Sequence, residues 1–127
     1  MSDHYLLHVS TQFQATRALR HYEGPCANVH SHRFKVQADV MTPPPDERGM
    51  VIDFYEIKAC LEKMVALWEG CFLNDISPFD TLNPTNENLA KYCFEVLNAS
   101  LTHPVARVQS VSVWETSEAG VTYRKNA

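Results

Sequence analysis

Four stretches of the chain place apolar residues at the two-residue period of a strand. In Tyr5 to Phe13, the residues Leu7, Val9, Thr11 and Phe13 share one face. In the second stretch His32, Phe34, Val36, Ala38 and Val40 alternate with Arg33, Lys35, Gln37 and Asp39, giving one apolar and one polar face. Near the end, Val105, Arg107, Gln109, Val111, Val113 and Glu115 line one face, with Val108 and Trp114 opposite. After a turn at Ser117-Glu118-Ala119-Gly120, Val121 to Arg124 reads as a last strand.

Between the second and third strands the period changes to that of a helix. Asp53 with Glu56 resembles a capping box, and Ile57, Cys60, Leu61, Met64 and Leu67 or Trp68 follow at helical spacing, with Gly70 as the expected stop. Cys71 to Asn83 reads as irregular. Asn83-Pro84-Thr85-Asn86-Glu87 reads as a second helix start, and Leu89, Cys93, Val96 and Leu97 supply its buried face. The linking segments are Gln14 to Val29, which contains Gly24-Pro25, and the proline-rich loop Thr42 to Gly49. The order strand, strand, helix, helix, strand, strand predicts an α+β fold: a four-stranded antiparallel sheet with two helices on one face.

Length adds that residues 1–127 form a single domain, large enough for a core without disulfide staples. Eleven basic against fifteen acidic residues give a net charge of −4, which argues against a nucleic-acid partner. No apolar run approaches the ~20 residues of a membrane helix, and the N-terminus lacks signal-peptide character, so no membrane association and a cytoplasmic location are expected. Cys26, Cys60, Cys71 and Cys93 are then free thiols, and no CxxC pair suggests a zinc ribbon.

The densest cluster of reactive side chains is Cys26-Ala27-Asn28-Val29-His30-Ser31-His32. Residues two apart on a strand point the same way, so His30 and His32 can present two imidazoles together. Such a pair suits zinc if a third ligand joins it; equally, it suits two polar residues at a loop edge. Cys26 is a candidate ligand or nucleophile, or a buried filler. Glu115, at a strand end, is either a rim carboxylate or an acceptor for the amidine-like edge of a pterin or guanine ring. Trp68 and Trp114 read as packing residues, as do Cys60 and Cys93.

Several motifs together resemble a known family. They are Phe13-Gln14-Ala15-Thr16-Arg17-Ala18-Leu19, Tyr22-Glu23-Gly24-Pro25-Cys26, the run to His32, Gly49-Met50-Val51-Ile52-Asp53-Phe54, Leu73-Asn74-Asp75, Asn83 to Ala90 and Val113-Trp114-Glu115-Thr116. In this order they are similar to the 6-pyruvoyltetrahydropterin and 6-carboxytetrahydropterin synthases. The short Cys-to-His spacing and Ala119 to Arg124 look most like the bacterial enzymes of queuosine biosynthesis. The resemblance implies a tunnelling fold whose sheets join into an oligomeric barrel, a trimer or a hexamer. It also implies a zinc-dependent lyase acting on dihydroneopterin triphosphate, with sites between subunits. Carried over, His30 and His32 are zinc ligands, Cys26 abstracts a proton, Glu115 anchors the pterin, and Thr85, Asn86 and Glu87 help hold its ring.

The chain departs from that pattern where the chemistry lies. Arg17 stands at the third zinc histidine, and a guanidinium has no lone pair to give a metal. Glu69-Gly70 replaces an Asp-His pair, so the histidine of the proton-transfer set has no counterpart. Ser31 replaces a glycine. His21 is a candidate substitute ligand, Cys71 a candidate proton carrier, Glu69 retains a carboxylate, and Arg17 is a candidate anion contact. The alternative to the lyase is a divergent paralogue, non-catalytic or of altered specificity, that binds a pterin- or purine-like ligand.

Overall fold

A computed structural model describes residues 3–24 and 28–125. Strands β1 (Tyr5–Arg17) and β2 (His30–Thr42) form a long antiparallel pair, with Tyr5 opposite Thr42 and Arg17 opposite His30. Helix α1 (Phe54–Val65) follows, then a two-residue strand β3 (Cys71–Phe72), a 3-10 turn (Leu73–Asp75) and helix α2 (Asn86–Ser100). Strands β4 (Arg107–Thr116) and β5 (Ala119–Arg124) complete a sheet of order β3-β1-β2-β4-β5. The α+β class and the two helices agree with the sequence. The sheet has a fifth member, because β3 pairs in parallel with Ala15 and Thr16. Two residues carry no readable alternation, which is why this segment looks irregular in the sequence.

Both helices cover one face. Phe13, Phe34, Val36, Val40, Val111 and Val113 pack there against Ile57, Leu61, Leu89, Cys93 and Leu97. Each fully buried Leu or Phe contributes about 2 kcal/mol relative to exposure. Trp68 is buried among Phe13, Phe79 and Tyr92, whereas Leu67 is exposed, which decides between the two. Cys93 is fully buried and its thiol pKa is pushed up by desolvation; Cys60 packs at the core's margin.

Three expectations are corrected. Strand β1 continues four residues beyond Phe13, carrying Ala15 and Arg17 on the core face. An arginine there breaks the apolar alternation, so the sequence pattern stops short of the strand's true end. Val108 lies on the core face with Val111 and Val113, not opposite them. The β2–β4 register shifts between Asp39 and Val40, and such a bulge reverses the facing of the residues on its far side. Helix α1 ends at Val65, well before Gly70.

The caps hold both helices in place. The Asp53 carboxylate accepts from Tyr55 N at 2.9 Å, and Thr85 Oγ1 accepts from Asn88 N at 3.1 Å. Among the described residues the opposite face of the sheet carries no helix and is mostly polar. There Asp39 accepts from Gln37 Nε2 and Ser110 Oγ and pairs with His8. Burial raises its pKa, and those three bonds together outweigh burial and lower it. Strand β3 covers only Ala15 and Thr16 of the outer edge of β1. Among the described residues no helix is long and apolar enough to cross a membrane.

Candidate functional site

The register of β1 and β2 builds the site. Arg17 lies directly opposite His30, and Ala15 opposite His32. All four belong to the face that the helices cover. On the far side of β2, the pair Lys35–Trp114 puts Glu115 next to Phe34 on that same face. The start of α2 closes the group with Pro84, Thr85 and Asn86.

Arg17 is the centre of this group, and its side chain is 2% exposed. Its guanidinium donates to Glu115 Oε1, to Asn86 Oδ1 at 2.7 Å and to the Pro84 carbonyl at 3.0 Å. It also lies 4.9 Å above the centre of the Phe34 ring. The contacts of Glu115 with Arg17, Asn86 Nδ2 and His32 Nε2 all fall on Oε1. Arg17 therefore meets a carboxylate of this chain at the position considered for an external anion.

The two imidazoles are brought together as expected, edge to face with centres 4.6 Å apart. His30 Nδ1 donates to the Asn28 carbonyl at 2.7 Å, which fixes the tautomer and leaves Nε2 as the lone-pair nitrogen. His32 Nε2 is 3.9 Å from Glu115 Oε1 and has no hydrogen-bond partner among the described residues. Burial lowers the His32 pKa; Glu115 opposes this, and Arg17 and His30 add to it. The net effect favours the neutral form of His32.

The remaining candidates offer no free group to this cluster or lie apart from it. The Thr85 hydroxyl is spent on the α2 cap, and Glu87 is exposed in the first turn of that helix. His21 is exposed with φ at 57°. Glu69 Oε1 accepts from Gln14 N at 3.3 Å on the outer edge of β1, and Gly70 N donates to Gln14 O at 2.7 Å. Cys71 Sγ lies 3.5 Å from the Glu69 carbonyl and 3.7 Å from the Leu67 carbonyl. Cys26 lies outside the described residues. Among the described residues, no group of three His, Cys, Asp or Glu side chains is placed to hold a metal ion. The described donors do not fit a three-ligand zinc centre, because the side chain facing the histidines is a cation.

Gly70 has φ at +73°, with no atom within 4 Å of an added Cβ. The position demands a backbone that side chains disfavour, not a lack of space. Gly70→Ala is expected to cost about 1 kcal/mol, read as a lower denaturant midpoint with unchanged slope. A histidine at 70 carries the same backbone penalty, so glycine here serves the turn.

The sequence did not single out the clamp that holds the end of β1. Asn74 bonds both the N–H and the carbonyl of Ala18, at 2.9 and 2.8 Å, and Asn83 does the same for Arg20, at 2.8 and 2.9 Å. The Arg20 guanidinium reaches the carbonyls of Phe79 and Leu82. These side chains act as short substitute strands, and they fix the segment that aims Arg17. The asparagines stand in visible Leu-Asn and Asn-Pro motifs, but their partners are more than fifty residues away.

Comparison with known proteins agrees with this architecture. Residues 6–126 match the family model described as 6-pyruvoyl tetrahydropterin synthase. The chain is 31% identical over 124 residues to 6-carboxy-5,6,7,8-tetrahydropterin synthase of Synechocystis sp., covering 94% of this chain and 92% of that protein. It is 30% identical over 105 residues to the 6-pyruvoyl tetrahydrobiopterin synthase of Poecilia reticulata, covering 80% and 70%. In fold it is similar to 6-pyruvoyl tetrahydropterin synthase of Caenorhabditis elegans, with a TM-score of 0.86, 23% identity and 98% of each chain covered. With its two helices, its sheet order and its nearly full-length match, this chain belongs to the 6-pyruvoyl tetrahydropterin synthase family.

Proposed function

We propose that this chain binds a pterin- or purine-like ring at Glu115, with Arg17 as the pocket's fixed cation, and does not run a zinc-dependent lyase reaction. The observation that carries this is the buried Arg17–Glu115 pair beside His30 and His32. A ring with an amidine-like edge offers two N–H groups. Glu115 Oε1 already receives the guanidinium, so such a ring bonds Oε2 or displaces Arg17. His30 Nε2 and the unpartnered His32 Nε2 offer further contacts along the same wall.

A zinc-dependent lyase on dihydroneopterin triphosphate, in a queuosine, deazapurine or pterin pathway, is the competing assignment. The names of the curated relatives and the paired imidazoles favour it. We also infer a homo-oligomer, trimeric or hexameric, because most of the outer edge of β1 is left for a partner strand.

One preparation separates the two functions. The chain is purified without a metal-binding tag, loaded with zinc and desalted. Zinc per chain, calorimetric binding of neopterin and guanine, and acetaldehyde release from dihydroneopterin triphosphate are then measured. The expected result is zinc far below one per chain, saturable ring binding and no acetaldehyde. Zinc near one per chain together with acetaldehyde release overturns the proposal and establishes the lyase.

A further inference from the structure

Strand β2 has two faces, and its polar face carries a feature that the Glu115 site does not use. Arg33 and Lys35 are two residues apart and point away from the helices. Lys35 sits in a cross-strand row between Gln12 of β1 and Trp114 of β4. The Trp114 indole lies against Gly120 of β5, where an added Cβ would come within 2.4 Å of the ring. The ring's plane is thereby fixed. Beyond Trp114 the β4–β5 register slips, and the strand end opens a cavity of about 400 Å³. Gln12, Arg33, Lys35, Trp114, Thr116 and Ser117 line it.

Three properties of this cavity point to a ligand. Its volume lies within the range of small-molecule sites. Among the described residues, neither Arg33 nor Lys35 has a carboxylate within ion-pair distance. Farther along that face, the Asp39 carboxylate is already taken up by His8, Gln37 and Ser110, and Glu69 is held at the outer edge of β1 by the Gln14 N–H. Glu118 is in the adjoining turn and its backbone N–H bonds Thr116 Oγ1. Two uncompensated cations beside a held, half-exposed indole match a flat ring joined to phosphate. The indole stacks on the ring, the guanidinium and ammonium take the phosphate oxygens, and Gln12 and Ser117 offer hydrogen bonds.

We propose that the helix-free face of the sheet carries a second site, formed by Arg33, Lys35 and Trp114, for a nucleoside phosphate or a like phosphorylated aromatic ring. It lies across the sheet from the Glu115 site and does not depend on the assignment made there.

The full chain is titrated with GTP, followed by tryptophan fluorescence and calorimetry. Trp68 is buried, so a quench reports on Trp114. A saturable quench with a dissociation constant below about 1 mM is expected. Arg33→Ala/Lys35→Ala should weaken binding at least about tenfold, with the circular dichroism spectrum unchanged. Inorganic triphosphate, which lacks the ring, should bind about tenfold more weakly than GTP. Absence of saturation up to about 5 mM overturns the proposal. So does GTP binding that the double variant leaves unchanged and Glu115→Gln abolishes, which places the nucleotide in the other pocket. Equal affinity for GTP and inorganic triphosphate overturns the stacking role of Trp114.

Discussion

Arg17→Ala is expected to destabilise the fold by about 3 kcal/mol, lowering the melting temperature by roughly 10 °C for a chain of this length. Arg17 is more deeply buried than any other charged side chain among the described residues, and its bonds join β1 to β4 and to the start of α2. Removing it strands the Glu115 carboxylate, opens space over Phe34 and frees the Pro84 carbonyl. The carboxylate is 23% exposed, so water recovers part of the loss and the lower end of the usual range applies. Glu115→Gln should cost a comparable amount by leaving the guanidinium without its counter-charge. The pair Arg17→Ala/Glu115→Gln should cost less than the sum of the singles, because no buried charge then lacks its partner. Thermal unfolding of the four proteins gives the coupling directly. Additive losses would mean that the two side chains contribute independently, contrary to their contact.

Most of the scaffold was legible because its signals are local. Alternation in Phe34 to Val40 gave β2, and helical spacing from Ile57 and from Leu89 gave both helices. The misplacements share a physical origin in long-range pairing. Arg17 hid the end of β1, since a charge on a core face is tolerated only with a partner, and that partner lies 98 residues away. Val108 changed face through one extra residue in β4, which no periodicity within β4 alone reveals. The two residues of β3 owe their strand conformation to Ala15 and Thr16, not to their own sequence.

The site was legible in its parts and not in its connections. The His-x-His spacing placed the two imidazoles together, and Glu115 was singled out on its own strand. The resemblance marked Arg17 as standing in a ligand's place, but its engagement with Glu115 needed the register of three strands. That contact changes what the substitution means. Beyond removing a metal ligand, Arg17 supplies a cation of its own and places it on the carboxylate that the resemblance assigns to the pterin.

The same register sets the outcome of the converse change. Residue 17 faces His30 directly and shares its side of the sheet with His32, and opposed residues in an antiparallel pair hold their Cβ atoms about 5 Å apart. Arg17→His therefore converges three imidazoles where the present chain has two and a guanidinium. Zinc affinity is expected to rise at least about a hundredfold, measured by competition with a chromogenic chelator. Added zinc should then raise the melting temperature of the variant and leave that of the unmodified chain unchanged, because a ligand stabilises only the state that binds it. The apo variant should be less stable than the parent, since it lacks the pairing with Glu115. A variant with no more zinc affinity than the parent would show that the imidazoles of His30 and His32 do not converge on one point. Gain of zinc with tighter binding of neopterin would show that Arg17 alone had both displaced the metal and occupied the ring's anchor.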